Sequence, residues 1–554
     1  MYEKIKKICN HLRKENETSN IYFNGEINEK YKIYKKWLIE NGAIFNEKID
    51  FPFEFGPFHK IGCKSISKIN ENEAIILIPR SLLIISGDLH FIDKYINDIL
   101  DEISDEDIPD IYLTLYLYLE KQNPNSFFKP FIDIIFLKEN NSDDIFYEKW
   151  NEKSLNELND EISAKSFEKR LNYLEELYIL IKQCQKFSNM TKKEFENCYF
   201  KIISRKIDLK DNNNISILVP LIDLIFHDNS IKLKNEIYDS ENMVFKYASI
   251  INEFKNSKLN LYMTTSNHLP FNNPSYNKLI PFIEKNSDDN SEDIDNDNKI
   301  YINNNDYFSV ALSKNEKVLE NFAICGNNYP LCNKKLLKNK GYCLLYNEND
   351  YITIKFNFNR GEIMTDKYLE NIFGDNYQTR NDDPIYNTLK IKIEFNNIST
   401  DLLKYYRFMH FYQNKKNAKE YFKYHFNLEL EISIINSSIN FLKNKLKNME
   451  INYSFDNDFK ELENDIYHKK ENDYFKVNLL IFRISQKIIL KNQIDLLLYI
   501  LKIMNKYKSN IMGYNNIFDY IEKEKYINEY DKEENTRMKI LRFIAYMSKN
   551  IDLK

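Results

Sequence analysis

The chain has 554 residues, enough for three or four domains at ~150 residues each, or for fewer with large insertions. Its 78 Lys and Arg against 83 Asp and Glu leave a net charge of −5 spread along the sequence, so no basic field singles out nucleic acid as a partner. Only 10 glycines occur and the closest two, Gly56 and Gly62, stand six apart, so no dinucleotide fingerprint, Walker A loop or nucleophile elbow can be written; the seven cysteines are never three apart and no His precedes a Glu, which excludes paired-cysteine zinc sites and the metalloprotease helix.

The start, MYEKIKKICNHLRKEN, is charged with no apolar core after it, and no apolar run approaches the ~18–20 residues of a membrane span. With scattered thiols, this predicts an intracellular protein, cytoplasmic or nuclear, without membrane or metal. Residues 1–29 read as a polar, loosely helical extension. Tyr31, Ile33, Tyr34, Trp37 and Leu38 then recur at helical spacing up to Gly42, a residue free to take the left-handed conformation that ends a helix. Ala74-Ile75-Ile76-Leu77-Ile78, closed by Pro79, predicts a buried strand. Helical patterning covers Asp110–Phe136 and returns over Phe167–Arg205.

Residues 211–227, DNNNISILVPLIDLIFH, run from a polar loop into an apolar stretch ending on a histidine. From about 241 to 304 the chain is Asn-rich, with the acidic run NSDDNSEDIDNDN at Asn286–Asn298, and reads as a disordered insertion because like charges repel and little there can be buried. Ile352/Ile354/Phe356/Phe358 and Leu389/Ile391/Ile393/Phe395 alternate with polar residues, the period of half-buried strands. From Ile398 onward the pattern is helical, with Val477, Ile481, Ile484 and Ile488 on one face.

The order of short motifs goes further than composition. WLIENGA (Trp37–Ala43), IGCKSISKINENEAIILIPRSLLI (Ile61–Ile84), NPNSFFKPFIDII (Asn123–Ile135), SRK (Ser204–Lys206) and LVPLIDLIFH (Leu218–His227) resemble SET-domain methyltransferases of the Rubisco large-subunit methyltransferase type. NEKV (Asn315–Val318) and CNKKLLKNKGY (Cys332–Tyr342) are similar to that family's GEEV and SNAELLxxYGF segments, and Tyr386–Phe408 with Val477–Leu490 to its helical substrate-binding domain. The resemblance covers roughly residues 30–510 apart from the insertion. It implies an α+β fold: a SET β-fold tied in a pseudoknot over 30–359, with a helical insert at about 90–205, followed by an all-helical lobe over 360–554. The implied cofactor is S-adenosyl-L-methionine, and the implied partner is a protein bearing an acceptor lysine.

Methyl transfer from a sulfonium is an in-line displacement, so such a site must align the nucleophile with the methyl carbon and supply an uncharged amine. Neutralising lysine at pH 7 costs ~4.6 kcal/mol from its ordinary pKa, a cost that a narrow apolar channel lowers by disfavouring the ammonium. Carried over by the resemblance, the cofactor lies against Ile61, Gly62 and Cys63, against Arg205 on its carboxylate side, beside Phe226 and His227, and near Tyr342 at the adenine. Asp223 falls where substrate or active-site polar groups are held. The sequence departs from the family at three points. Phe226-His227 replaces its Asn-His pair, Lys60 replaces the first glycine of the cofactor loop, and the catalytic Tyr before G-x-x-S-N aligns with Phe322, or with Tyr329 if the register slips. These departures leave two expectations, a protein-lysine methyltransferase using Tyr329 or a degenerate SET protein serving as a binding scaffold.

Overall fold

The computed structural model describes residues 25–46, 48–55, 60–68, 74–137, 149–209, 215–221, 224, 226–227, 245–246, 263–264, 307–312, 325–326, 331–345, 347, 349–359, 373, 377–378, 386–395, 398–413, 428–468 and 473–508. Helix α1 (Gly25–Glu40) contains the predicted periodic stretch and starts within the segment read as a polar extension. It ends as expected: Gly42 sits at φ 91°, and the Ala43 amide turns back to the Leu38 carbonyl at 2.9 Å. Its buried face, Tyr31, Tyr34, Trp37 and Leu38, packs into an aromatic cluster. Tyr34 stacks on Phe131 with centroids 6.1 Å apart and meets Phe51 edge-on at 6.2 Å.

Short strands follow: β1 (Ile44–Phe45), β2 (Ile49–Phe55), β3 (Lys60–Ser65), β4 (Ala74–Pro79) and β5 (Ile84–Ile85). Strand β4, read from the sequence as buried, lies between β1 and β11 (Tyr307–Leu312), with Ile76 and Ile78 buried. The helical insert is present as α2 (Ile108–Gln122), α3 (Lys129–Ile135), α4 (Glu152–Glu157), α5 (Glu161–Gln183) and α6 (Lys192–Arg205). Strands β6 (Ile207–Leu209) and β7 (Ile215–Leu218) form a small sheet with β5. Strand β8 (Phe226–His227) runs parallel to β12 (Cys325–Gly326), with Phe226 opposite Cys325 and His227 opposite Gly326. Two pieces of the Asn-rich segment, β9 (Phe245–Lys246) and β10 (Met263–Thr264), pair with β11. The segment therefore contributes backbone to the sheet, which its composition did not reveal; the acidic run lies outside the described residues.

After α7 (Asn333–Lys340), the two alternating segments form a hairpin of β13 (Tyr351–Asn359) and β15 (Tyr386–Glu394), with β14 (Tyr377–Gln378) on its edge. Ile352 faces Ile393 and Ile354 faces Ile391, all four buried. The boundary expected near residue 360 thus falls between two strands paired along nine positions, because alternation identifies a strand but not its partner. The helical lobe follows as α8 (Thr400–Gln413), α9 (Leu428–Asn452), α10 (Phe455–His468) and α11 (Tyr474–Lys508). Helix α11 has 35 residues, ~52 Å at ~1.5 Å per residue.

Helix α11 is buried nearly all round, not only on the predicted face: Arg483, Ser485, Gln486, Lys487, Asn492 and Gln493 are buried beside its apolar residues. Its polar side chains reach other elements. Asn492 donates to the Phe395 carbonyl at 2.6 Å and Gln493 to that of Glu394 at 2.9 Å, which fixes the hairpin against the helix. Arg483 pairs with Asp458 and donates to the Glu157 carbonyl at 3.0 Å, joining the insert to the lobe. One apolar core runs continuously from Tyr31 to Met504.

Candidate functional site

The site residues proposed from sequence lie on four stretches of backbone. Ile61, Gly62 and Cys63 occupy β3, where Gly62 faces Phe53 and Ile61 faces Glu54 across β2. A bulge there sets Phe51 and Pro52 against Cys63 alone, bending the ribbon beside Gly62. All three residues are buried. Burial pushes the Cys63 thiol up to about 12, opposed by nearby Lys35, so it stays protonated and is no nucleophile. The ribbon is braced by α1, whose Lys35 ammonium donates to the Phe51 carbonyl at 2.7 Å.

Arg205 ends α6. A capping box starts that helix: the Thr191 hydroxyl accepts from the Glu194 amide at 3.2 Å and the Glu194 carboxylate accepts from the Thr191 amide at 2.9 Å. Phe195, Cys198, Tyr199 and Ile202 form its buried stripe, and Arg205, three residues on, emerges half-buried at its margin. The guanidinium donates from Nη1 to the Ser204 hydroxyl at 2.8 Å. Immediately after it, Lys206 bridges Asp110 at 2.5 Å and Asp208 at 2.8 Å. Burial opposes the Lys206 charge, but the two carboxylates outweigh it and raise the ammonium's pKa. Asp208 in turn accepts from the Ser216 hydroxyl at 2.7 Å, tying β6 to β7.

Beyond β7, Leu221 is fully buried at φ 73°, a backbone region that favours glycine. A branched side chain held there is strained by ~1–3 kcal/mol, and its burial is what retains it. The chain then reaches Phe226–His227, whose backbone lies beside Cys325–Gly326. Gly326 precedes Cys332-Asn333, so the residue before that glycine in the knot is Cys325, with Phe322 three positions before Cys325 and Tyr329 four positions after it. Asp223, Phe322 and Tyr329 lie outside the described residues.

Tyr342, half-buried, follows α7 and Gly341, whose φ of 77° ends that helix. Contacts bring this turn to Arg205: α7 packs on α6, and the Lys340 ammonium donates to the Ser204 carbonyl at 2.6 Å. Two of the expected cofactor contacts are thereby joined. Phe226–His227 is joined instead to Cys325–Gly326, and Ile61–Cys63 is held by the β2–β3 ribbon.

Sequence reasoning did not single out Asn333 or Asp350, which set the geometry of this turn. The Asn333 side chain accepts from the Leu344 amide at 3.0 Å and donates to the Leu344 carbonyl at 2.8 Å and to Ser485 at 3.1 Å. Asp350 accepts the Asn333 amide at 2.9 Å and the Tyr351 amide at 3.0 Å, in place of a cap from Cys332. Burial pushes its carboxyl up to about 7 against those two hydrogen bonds. Asn333 was within the quoted motif, but no local signal pointed to Asp350. Among the described residues no cluster of three or more His, Cys, Asp or Glu is placed to hold a metal, and no helix is long and apolar enough to cross a membrane.

The donor set fits the carboxylate and adenine ends of S-adenosyl-L-methionine: Arg205 offers a half-buried, tethered guanidinium and Tyr342 a half-buried ring on a linked turn. No protein-family model matches the chain. It is 26% identical over 141 residues to the actin-histidine N-methyltransferase of Gallus gallus, a match covering 24% of this chain and 22% of that protein. The human actin-histidine N-methyltransferase is 25% identical over 141 residues, with the same coverage of 24% and 22%. The match thus spans about a fifth of the length of these curated relatives. Among solved structures, the SET domain of LSMT bound to lysine and AdoHcy superposes with a TM-score of 0.54 at 15% identity, over 88% of this chain and 96% of that one. The same domain bound to methyl-lysine and AdoHcy gives 0.52 at 14% identity, over 89% and 99%. The knotted strands, the helical insert and the helical lobe thus lie on a backbone with the SET-domain fold.

Proposed function

We propose that the chain is a protein methyltransferase that uses S-adenosyl-L-methionine and transfers methyl to a side-chain nitrogen of a protein, lysine being the acceptor implied by its resemblance. The observation that carries this reading is the parallel pairing of Phe226–His227 with Cys325–Gly326 inside a SET fold, with Arg205 and the Tyr342 turn joined through Lys340. S-adenosyl-L-methionine, when bound, supplies an electrophilic methyl on a sulfonium. The chain's own part is positional: Arg205 holds a carboxylate, Tyr342 covers a ring, and the Ile61–Cys63 backbone lines the cleft. Ile217, Leu218, Val219 and Leu221, all buried, make the approach to the knot apolar. An acceptor amine held against such an apolar segment is favoured uncharged over an ammonium. Tyr329 remains the residue proposed to hold the acceptor by its hydroxyl, and Asp223 the one proposed to face the substrate.

A second reading, histidine as acceptor, is favoured by the name of the curated relatives. The two differ in what the site must do, since a neutral imidazole already predominates at pH 7 whereas lysine must first lose a proton. Purified protein incubated with a tritiated methyl donor and a cell extract is expected to label a protein, with the modified residue identified by mass spectrometry. A lysine acceptor gives a rate rising about tenfold per pH unit through neutrality, and a histidine acceptor a rate that levels off above about pH 6.5. No labelling, together with no cofactor binding in calorimetry, would favour the scaffold reading instead.

A further inference from the structure

We infer that Lys340 is a positioning residue that holds Arg205 and Tyr342 at a fixed separation, so that one cofactor molecule is gripped at both ends. This rests on the methyltransferase reading and deepens it. Arg205 and Tyr342 belong to segments far apart in sequence, and nothing in either segment alone sets their distance. Lys340 links them, beside the packing of α7 on α6, its ammonium donating to the Ser204 carbonyl at 2.6 Å, one residue before Arg205. That carbonyl belongs to the last turn of α6, where carbonyls lack helical partners and the helix dipole favours a cation.

Both sides of the contact are rigid. On the α6 side, the Ser204 hydroxyl accepts from Arg205 at 2.8 Å and donates to the Lys201 carbonyl at 3.2 Å, while Lys206 is locked between two carboxylates. On the other side, Gly341 at φ 77° turns the chain directly after Lys340, and the Cys343 amide is anchored to Asn478 of α11 at 2.6 Å. Tyr342 is therefore held between two fixed points, Lys340 and Cys343. The tether is a charge-assisted hydrogen bond from the Lys340 ammonium to a backbone carbonyl.

A tether between two half-sites acts on a ligand that spans both and is indifferent to one that fills either alone, because its contribution is the effective concentration of the second contact once the first is made. Calorimetry with two ligands separates this from ordinary helix capping. S-adenosylhomocysteine carries both the adenosine and the carboxylate; 5′-methylthioadenosine carries the adenosine without the carboxylate. In Lys340→Met the dissociation constant of S-adenosylhomocysteine is expected to rise at least tenfold while that of methylthioadenosine changes less than twofold, and Lys340→Arg is expected to restore the former to within threefold. Equal weakening of both ligands, or of neither, overturns the tether while leaving the methyltransferase reading intact. Failure of the parent protein to bind either ligand overturns both. Should Lys340→Met not fold, Lys340→Gln, shorter and uncharged, carries the same comparison.

Discussion

Two regions of this molecule are held together by opposite means. Around α1, the contact between helix, ribbon and insert is aromatic: Tyr31, Tyr34, Phe51 and Phe131 are fully or almost fully buried and touch at centroid distances of 6.0 to 6.2 Å. Around α11, the contacts are polar pegs. Asn478, Arg483, Ser485, Asn492 and Gln493 each reach a specific atom on another element. Apolar packing is non-directional and tolerates changes of shape, whereas buried hydrogen bonds fix register but are costly when half-broken. The ribbon that carries Gly62 hangs chiefly from the first kind of support, with the Lys35 bond to the Phe51 carbonyl beside it, and the turn that carries Tyr342 from the second.

The comparison can be broken most severely at Asp458, which is 3% exposed and pairs with Arg483 and Lys487. Asp458→Ala strands two buried cations and is expected to lower unfolding free energy by about 3–5 kcal/mol in urea titrations, most of which returns when Arg483→Met and Lys487→Met are added. Next comes Asp350. Its folded pKa is raised to about 7 by burial, so the protonated form is favoured and its contribution, full below the unfolded pKa, is lost as pH rises toward 7. Between pH 5 and pH 8 the parent is expected to lose about 2–3 kcal/mol relative to Asp350→Asn, read as the difference in urea midpoints.

A matched pair then sharpens the contrast. Asn478→Leu keeps volume but orphans the Cys343 amide, with an expected loss of about 2 kcal/mol, whereas Phe131→Leu in the aromatic region loses only about 1 kcal/mol. The smallest effect belongs to the surface: Lys32 and Glu29, with side chains 58% and 64% exposed, are expected to shift the midpoint by less than about 0.5 kcal/mol when Lys32→Ala separates them.

What the sequence made legible follows the same division. Helix α1 and the separate strands β13 and β15 were readable because apolar residues repeat at 3.6 and at 2 along single segments, and Gly42 marked a stop. The pairing of β13 with β15 was not, since Asn359 and Tyr386 are separated by a stretch that carries no signal of which strand partners which. The knot could not be found by periodicity at all, because β8 and β12 are two residues long; only the order of motifs pointed to it. The polar pegs of α11 look like surface residues in the sequence, and Arg483 and Lys487 reveal their burial only once α10 is placed beside them. Arg205 and Tyr342 were named as cofactor contacts, but the lysine that joins them is a tertiary feature without a local pattern.

The parallel contact between Phe226–His227 and Cys325–Gly326 also bears on how the protein is made. The first strand leaves the ribosome 99 residues before its partner, a wait of about 5–20 s at ordinary elongation rates, with its edge unpaired meanwhile. Doubling the intervening span adds only ~0.6 kcal/mol to the entropy of closing it, so the Asn-rich insertion weighs little on the finished fold. Its burden falls on the nascent chain, where chaperones would have most to do.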